Sequence, residues 1–513
     1  MAESDAPALR ARPPVRQQTA IAVLGALVVV TAAFRMRFWS APLTADEGGY
    51  AYVARAWSRG AALYRDAWVD RPQGLLLLYR AVLGLGGHGL AIRLMATVWA
   101  GALVVVVGCL GRALTDDWRP GLWAAALFAV ASAMPQLEGF AANGEVLAAL
   151  PAALGVLLMV PTVRRFASGQ SVMEAPPRRW HWRWIASGAC CAAAVLIKQS
   201  GYDGAIGVTG VLGWAWTARW RPRREVAVVS AWWALGLIVP VGLAAAHGAL
   251  IGWHDWWFAV AGYRLSVESV TTGPVHMRWI LFRFSLHFAQ YALRAVLPFA
   301  LIGLMCGPQR TMWMIRFWAF GSLTAFALGG LFHPHYYLGL LPSLCVLAGL
   351  GVDRIDQSRR PVVQSLAVGA VTLGLLTMTA SSMEILRLPS ADARIAKAAR
   401  DGRLRANHPL AVWLRKHSAP SDTIYAMYAD AALYFEVDRK SPYPYLWQRG
   451  VEHIPGALQR LEALLDGPMR PRYVIPFGDP NNIKDGKIFV QILANRYRQV
   501  AIVAGVKVYE RTT

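Results

Sequence analysis

Two adjacent carboxylates, Asp46 and Glu47, follow the first strongly apolar stretch of the sequence by a few residues. A carboxylate in such a place can accept a proton from an attacking hydroxyl group, so Asp46 is a candidate general base. Glu47 has a simpler explanation, because Thr44 and Glu47 have the spacing of a helix capping box. We therefore predict catalysis at Asp46, and for Glu47 both a capping role and a place among the substrate-binding residues.

A second acidic and basic pair, Asp70 and Arg71, stands later in the same polar segment. The neighbouring Pro72 and Gly74 are typical of a turn, which is the simplest explanation of the motif. A guanidinium group also suits a phosphate, to which it can donate two parallel hydrogen bonds. We interpret Asp70 and Arg71 as candidate substrate-binding residues, with Arg71 as a phosphate contact.

Polar residues also stand at the ends of two later apolar stretches. Asn143 and Glu145 open one stretch, and Lys198 and Gln199 close another. Asn143 is a plausible helix N-cap, and a cation at a helix C-terminus complements the helix dipole or snorkels, so structural explanations exist for both places. Ionisable groups beside a membrane are nevertheless functional candidates, and we include all four among the substrate-binding residues.

A histidine and aromatic cluster opens another apolar stretch. It contains His333, His335, Tyr336 and Tyr337, and Arg264 lies in a separate aromatic-rich loop. Two histidines separated by one residue could bind a metal ion, but no Cys or third His is near in sequence. Aromatic anchoring at the membrane interface and polar contacts to a substrate fit better. We predict no metal site here and place Arg264, His335, Tyr336 and Tyr337 among the substrate-binding residues.

Eleven apolar stretches must position these side chains. The chain has 513 residues, of which 56% are hydrophobic and 16% charged, so it has too little polar surface for a soluble protein. Stretches near twenty residues can cross about 30 Å of hydrocarbon. We predict an all-α polytopic membrane domain of about 11 spans, with a range of about 10–13, at 18–38, 89–111, 119–134, 143–162, 183–197, 203–219, 226–247, 287–306, 312–331, 334–352 and 362–383.

The formal charge of +22 is concentrated in alternate loops. This is the positive-inside pattern, so we predict a cytoplasmic N-terminus and place all candidate site residues on the opposite face. The same distribution argues against nucleic acid as a partner. The basic residues that define the pattern are Arg10, Arg12, Arg16, Arg164, Arg165, Arg178, Arg179, Arg183, Arg219, Arg221, Arg223, Arg224, Arg354, Arg359 and Arg360.

The chain divides into three predicted regions. Residues 1–17 form a cytoplasmic tail, and 18–389 form the transmembrane domain, whose first outer loop, 39–88, carries amphipathic helices at the membrane interface. Residues 390–513 alternate helical and β-like patterns, which indicates a small extracytoplasmic α/β domain. Its predicted strands lie at 423–428, 472–476 and 500–503. All five cysteines fall in the predicted spans, so disulfides do not support this domain.

These motifs together resemble the GT-C superfamily of membrane glycosyltransferases. The similarity is greatest to family 39, the dolichyl-phosphate-mannose-protein mannosyltransferase-like group, to which the lipid A aminoarabinose transferase is related. Segments 44–55 and 70–74 look like the first-loop motifs of that group. The other motifs follow in the order of the family, at 143–145, 198–199, 335–337, 410–415 and 422–425.

The resemblance implies the GT-C fold and an inverting glycosyltransferase of the bacterial plasma membrane. Such an enzyme moves a sugar from a polyprenyl-phosphate donor to a hydroxyl of a lipid, glycan or protein acceptor on the outer face. Asp46 would be the general base, Arg71, Lys198 and His335 would bind the lipid phosphate, and Glu145 would position a substrate. No cofactor is required, although a divalent cation held by Asp46 and its neighbour stays possible. The family often has Lys-Pro-Pro where this chain has 71–73, so donor preference is not carried over.

Two other functions fit a polytopic chain. A transporter or flippase of a lipid-linked sugar would place polar residues near the bilayer midplane, often in broken helices. Here the polar residues collect at the ends of the stretches on one side, which favours the transferase. A non-catalytic scaffold would use its outer α/β domain to bind a partner. The sugar, the acceptor, the polyprenol length and the oligomeric state stay open.

Overall fold

The computed structural model describes residues 13–174, 181–268, 275–306, 309–328, 330–427, 431–482 and 486–512. The first twelve residues of the predicted tail and the loop residues Arg178 and Arg179 lie outside this part of the chain.

Every predicted apolar stretch coincides with a helix. Within the described residues, seven helices are long and apolar enough to cross a membrane. The helices at 118–131, 181–197, 203–217 and 309–328 are shorter or less apolar, so the number of spans stays a prediction. The helices up to residue 386 are α1 Gln17–Met36, α2 Ala45–Ser58, α3 Gln73–Gly84, α4 Gly89–Thr115, α5 Trp118–Ala131, α6 Gly144–Ala167, α7 His181–Ile197, α8 Asp203–Thr217, α9 Arg223–Ile251, α10 Trp253–Trp257, α11 Val275–Met305, α12 Gln309–Leu328, α13 Tyr337–Asp356 and α14 Pro361–Leu386.

Small residues let the long helices pack closely. A Cβ atom on Gly303 of α11 would lie 1.8 Å from the carbonyl oxygen of Leu347 on α13. One turn away, a Cβ on Gly351 would lie 2.0 Å from the carbonyl oxygen of Phe299. Backbones that approach this closely gain van der Waals contact, which replaces the weak hydrophobic driving force between helices in lipid.

The basic loops meet at one end of the bundle. Arg164, at the end of α6, pairs with Asp116, which follows α4. Glu225, at the start of α9, accepts hydrogen bonds from the Ser171 hydroxyl (3.0 Å) and the Val172 amide (2.6 Å). The start of α6 and the end of α7, which carry candidate site residues, therefore lie at the opposite end. This separation agrees with the alternation of charge in the sequence.

Helix α2 is enclosed by protein. Its stripe of Tyr50, Val53 and Ala54 is buried. On one side a Cβ on Gly48 would lie 2.3 Å from the Cα of Ala432, so a segment from the C-terminal region covers the helix directly. The amphipathic pattern therefore located the helix correctly, and its apolar face packs against the protein. The predicted place of this helix at the membrane interface stays a prediction.

After Leu386 the long apolar helices give way to shorter elements, close to the predicted boundary at 390. The sheet order is β1-β2-β4-β3, with β1 parallel to β2 and the other pairs antiparallel. Three strands agree with the prediction, although Tyr428 lies outside the described residues. The elements are α15 Ala391–Ala398, α16 Leu404–His417, β1 Ile424–Met427, α17 Ala431–Val437, α18 Gln448–His453, α19 Ala457–Asp466, β2 Tyr473–Pro476, α20 Gly486–Arg496, β3 Tyr497–Val503 and β4 Val506–Arg511.

Strand β4 was missed by the sequence analysis. It pairs with β3 through a tight turn in which Ala504 and Gly505 both have positive φ angles, of 49° and 81°. A two-residue turn of this kind is typical of a β-hairpin. The Gly505 turn was therefore an available signal for the second strand.

Candidate active site

Glu47 forms a closed set of contacts that fixes the start of α2. The predicted capping box is confirmed: the Thr44 hydroxyl accepts from the Glu47 amide at 3.2 Å, and the Glu47 carboxylate accepts from the Thr44 amide at 3.0 Å. The same carboxylate pairs with Arg93 at 3.0 Å and accepts from the Ala142 amide at 2.8 Å. Because Glu47 is fully buried and its carboxylate makes these contacts, we assign it to positioning α2. Its place among the substrate-binding residues stays a prediction.

Asp46, one residue earlier, is more exposed than Glu47 and makes fewer contacts. Its side chain is half-buried and lies in the first turn of α2. Its Oδ1 atom accepts a hydrogen bond from the indole Nε1 of Trp447, at 3.0 Å. Among the described residues, no hydrogen bond occupies Oδ2. Asp46 therefore keeps an acceptor atom that an incoming hydroxyl could use.

Asp70 joins two arginines that are far apart in sequence. Its Oδ2 atom lies 2.6 Å from Nη1 of Arg71 and 2.5 Å from Nη2 of Arg264. Burial raises the pKa of the Asp70 carboxyl, but the two guanidinium groups outweigh burial and hold that pKa below its usual range. The carboxylate is therefore ionised and holds both arginines at the site. The Nε atom of Arg71 is buried and has no hydrogen-bond partner among the described residues.

Gln199 connects the elements that carry these arginines. Its side-chain amide donates to the Asp70 carbonyl at 2.8 Å and to the Val260 carbonyl at 3.0 Å. Val260 belongs to the π-helical segment Phe258–Glu268, which bears Arg264. The predicted role of Gln199 in substrate binding is not tested by these contacts, but they show how it holds the Arg71 and Arg264 loops together.

Lys198 and Glu145 form a buried ion pair beside the arginines. The Lys198 ammonium also lies 4.4 Å from the centre of the Tyr336 ring. Burial lowers the pKa of Lys198, and the positive charges of Arg71 and Arg264 lower it further. Asn143 caps α6, as predicted, by accepting from the Val146 amide at 3.1 Å.

We name the set of Asp70, Arg71, Lys198, Arg264 and Glu145 the cation cluster. It contains three basic side chains and two carboxylates, and Asp46 adds a third carboxylate whose charge acts on both Arg71 and Lys198. A bound anion would relieve the repulsion among the three cations.

His335 lies between two carboxylates, one of which the sequence analysis missed. Its Nδ1 atom is 3.2 Å from Glu138, and its Nε2 atom is 3.8 Å from Glu145 of the cation cluster. Glu138 also pairs with Arg400 from the C-terminal region. Burial raises the pKa of Glu138, but His335 and Arg400 together hold it below its usual range. The available signal was an acidic residue in an apolar run shortly before the 143–145 motif.

Tyr336 and Tyr337 point to different places. Tyr336 lines the cavity beside Lys198. Tyr337 is buried in the helix bundle, where its hydroxyl lies 3.2 Å from the Ser285 hydroxyl and its ring packs on Phe326. Tyr337 therefore packs within the bundle, because successive residues of a helix do not share one face. Its predicted contact with substrate stays a prediction.

A cavity of about 410 Å³ opens beside the cation cluster. Glu145, Lys198, Gln199, Arg264 and Tyr336 line its polar end. Its remaining wall is mostly apolar, with Ala148, Ala149, Ala325, Phe326 and Leu328, and it also contains the polar residues Ser200, Tyr202, Asp203 and Ser322. The cavity therefore combines an anion-binding end with a surface that suits hydrocarbon.

The described part of the chain contains no cluster of side chains suited to a metal ion. There, no group of three or more His, Cys, Asp or Glu side chains could hold a metal ion. The expectation that no cofactor is required, and the possible divalent cation at Asp46 and Glu47, both stay predictions.

Comparisons with known proteins place the fold. No family model and no curated protein matches the chain. Solved structures do match: ArnT from Cupriavidus metallidurans bound to undecaprenyl phosphate has a TM-score of 0.63 and 14% identity, covering 97% of this chain and 99% of that chain. AglB, the oligosaccharyltransferase of Archaeoglobus fulgidus in complex with an inhibitory peptide and a dolichol-phosphate, has a TM-score of 0.58 and 12% identity, covering 96% of this chain and 74% of that chain.

The chain is therefore a multi-pass membrane protein with the GT-C fold. The fold expectation drawn from the first-loop motifs is confirmed. The similarity to ArnT extends over nearly the full length of both chains, so it includes the C-terminal region as well as the helix bundle.

Proposed function

We propose that this protein is an inverting glycosyltransferase that uses a polyprenyl-phosphate sugar donor and an acceptor hydroxyl. The observation that carries the proposal is the cation cluster. Its members Glu145, Lys198 and Arg264 line a cavity with a mostly apolar wall, and Asp46 interacts electrostatically with Arg71. The similar structures support the donor class, since ArnT was solved with undecaprenyl phosphate and AglB with a dolichol-phosphate.

The cation cluster would bind the donor phosphate. Arg71 and Arg264 can each donate to phosphate oxygens, and Lys198 adds a third positive charge. The apolar wall of the cavity would receive the first isoprenoid units, which places the sugar at the polar end. Tyr336 and His335 line or border that end and would contact the phosphate or the sugar.

The reaction would be a single displacement at the anomeric carbon. The acceptor oxygen attacks that carbon and loses its proton to Asp46, while the bond from carbon to phosphate oxygen breaks. The electron pair leaves on the phosphate, which Arg71, Lys198 and Arg264 stabilise. A phosphate is already a good leaving group, so the site needs a base and cations but no strong general acid. Attack opposite the leaving group inverts the anomeric configuration.

The orientation in the membrane follows from charge. The basic loops would face the cytoplasm, and Asp46, the cation cluster and the C-terminal region would lie on the outer face of a bacterial plasma membrane. The transferred sugar could be a hexose or a pentose, and the acceptor could be a lipid, a glycan or a protein.

The decisive experiment compares Asp46→Asn with the wild type. Purified protein, a panel of polyprenyl-phosphate hexoses and pentoses and a membrane extract as acceptor source should release free polyprenyl phosphate. Because Asn cannot accept the proton, Asp46→Asn should lower turnover by about a thousandfold while polyprenyl phosphate still binds. Asp66→Asn is the matched control: Asp66 is an exposed carboxylate of the same outer loop that caps a local turn, and its variant should keep wild-type turnover.

Two outcomes would contradict the proposal. Full turnover by Asp46→Asn would remove the assigned base. Movement of the intact lipid-linked sugar across vesicles without release of polyprenyl phosphate would favour a flippase.

A further inference from the structure

Trp447, in the C-terminal region, contacts Asp46 although the two residues are far apart in sequence. The two residues are 401 positions apart, and the indole Nε1 donates to the Asp46 carboxylate at 3.0 Å. The Trp447 ring also packs beside Tyr50, with ring centres 5.9 Å apart. A residue of the C-terminal region therefore contacts the candidate base directly.

The two glycines after the acidic pair make this contact possible. A Cβ atom on Gly49 would lie 2.3 Å from the Trp447 ring and 2.9 Å from the Cβ of Ala431. A Cβ on Gly48 would lie 2.3 Å from the Cα of Ala432. Any larger residue at either position would push the C-terminal region away from α2. The first-loop motif is thus shaped to receive Trp447 as well as to present Asp46.

The segment around Trp447 is fixed to the first outer loop at both sides. Before it, the Trp68 amide donates to the Pro444 carbonyl at 3.1 Å, and the rings of Trp68 and Tyr445 lie 5.5 Å apart. After it, a Cβ on Gly450 would lie 3.4 Å from the Trp68 ring. Trp447 itself precedes α18 in an extended conformation. The indole position is therefore defined by several contacts and not by one hydrogen bond alone.

An indole N–H can only donate a hydrogen bond. The Trp447 indole therefore uses one lone pair of the Asp46 Oδ1 atom, and Oδ2 is the more open acceptor for a proton from an acceptor hydroxyl. Among the described residues Oδ2 has no hydrogen-bond donor, which agrees with this division of roles.

We propose that Trp447 is a positioning residue that orients the Asp46 carboxylate, so that Oδ1 is held and Oδ2 faces the acceptor hydroxyl. The C-terminal region thereby completes the active site. This inference rests on the proposed glycosyltransferase function and adds a residue from the C-terminal region to the site.

The test separates positioning from packing. Trp447→Phe keeps a ring but removes the N–H, so the carboxylate can rotate, and kcat should fall about tenfold, the value of one hydrogen bond to a charged group. The donor KM should stay within about twofold, because the cation cluster is untouched. Trp447→His, which retains a ring N–H, should recover part of kcat. Trp413→Phe is the control, since Trp413 packs on His417 and Tyr473 away from the site.

Several results would overturn the inference. They are an unchanged kcat in Trp447→Phe, an equal loss in the Trp413 control, or a loss that appears entirely in the donor KM. If Trp447→Phe does not fold, Gly49→Ala tests the same point, because its methyl group displaces the indole and should lower kcat to a similar extent. Wild-type kcat in Gly49→Ala would then reject the inference.

The wild-type protein distinguishes this inference from the function on which it rests. If the wild type releases no polyprenyl phosphate with any donor of the panel, the glycosyltransferase proposal fails. If the wild type is active and Trp447→Phe matches it, only the role of Trp447 fails.

Discussion

Two groups of carboxylates and arginines lie beside the start of α2, and they differ in what surrounds them. The pair of Glu47 and Arg93 has side-chain exposures of 0% and 1%. In the cation cluster, Asp70, Arg71 and Arg264 have exposures of 21%, 13% and 22%, and the cluster borders a cavity. The same chemical groups therefore form a closed contact in one place and an open one in the other.

The difference follows from exposure and hydrogen bonding. In the closed pair, one carboxylate meets one guanidinium, and the remaining acceptor capacity of Glu47 is used by backbone amides. In the open cluster, three cations share two carboxylates, and Arg71 keeps an unsatisfied Nε atom. A closed pair stabilises the fold, whereas a partly exposed cluster with an unsatisfied guanidinium nitrogen can still bind an anion.

Breaking the closed pair should have the largest effect on stability. Arg93→Met leaves the Glu47 carboxylate buried without its cation, and the free energy of unfolding should fall by about 3–5 kcal/mol. Thermal unfolding in detergent measures this loss. The double variant Glu47→Gln with Arg93→Met should regain part of the loss, because no buried charge is then left unpaired. An unchanged melting temperature in Arg93→Met would show that the pair is not closed as described.

Removing a guanidinium group from the cation cluster should weaken ligand binding more than it destabilises the fold. Arg71→Ala removes charged hydrogen bonds to phosphate, so the affinity for polyprenyl phosphate should fall about 10- to 100-fold. Arg71→Lys should lose less, since it keeps the charge but not the planar fork. Arg59→Ala is the control: Arg59 is an exposed arginine of the same loop, paired with Asp438. Equal affinity in Arg71→Ala and the control would contradict the assignment of the cluster.

Removing the Asp70 charge should have the smallest effect of the three changes, a pH-dependent loss of unfolding free energy. Because the pKa of Asp70 lies below its usual range in the folded protein, its contribution is present above the ordinary carboxyl pKa and is lost as pH falls through the lower value. Asp70→Asn should therefore be less stable than the wild type by about 1 kcal/mol near pH 7. The two should converge as the pH falls below 4, which unfolding measurements across that range would check. A constant difference at all pH values would contradict this explanation.

The sequence was informative wherever the determining interaction is local. Apolar stretches located all the long helices, because the hydrocarbon thickness fixes their length. The capping box at Thr44 and the N-cap at Asn143 join residues three positions apart, so their patterns are visible in the chain. The alternation of basic loops also predicted that Arg71, Lys198 and His335 would meet at one end of the bundle.

The sequence was less informative about which side chains pair with each other and which surroundings each side chain faces. It listed Arg264 as a candidate but did not pair it with Asp70, 194 positions away. It missed Glu138, and it treated Tyr336 and Tyr337 alike although they face different surroundings. Each of these facts depends on how helices pack against one another, which no local pattern encodes.

The sequence alone thus determined the class of fold, the position of the acidic pair and the capping role of Glu47. The tertiary structure decided which carboxylate is enclosed, which cations share a cavity and that Trp447 reaches Asp46 across 401 positions. The physical reason is range. Helix formation and capping depend on residues three or four positions apart, whereas the charge balance and solvent access of a site depend on every element that packs around it.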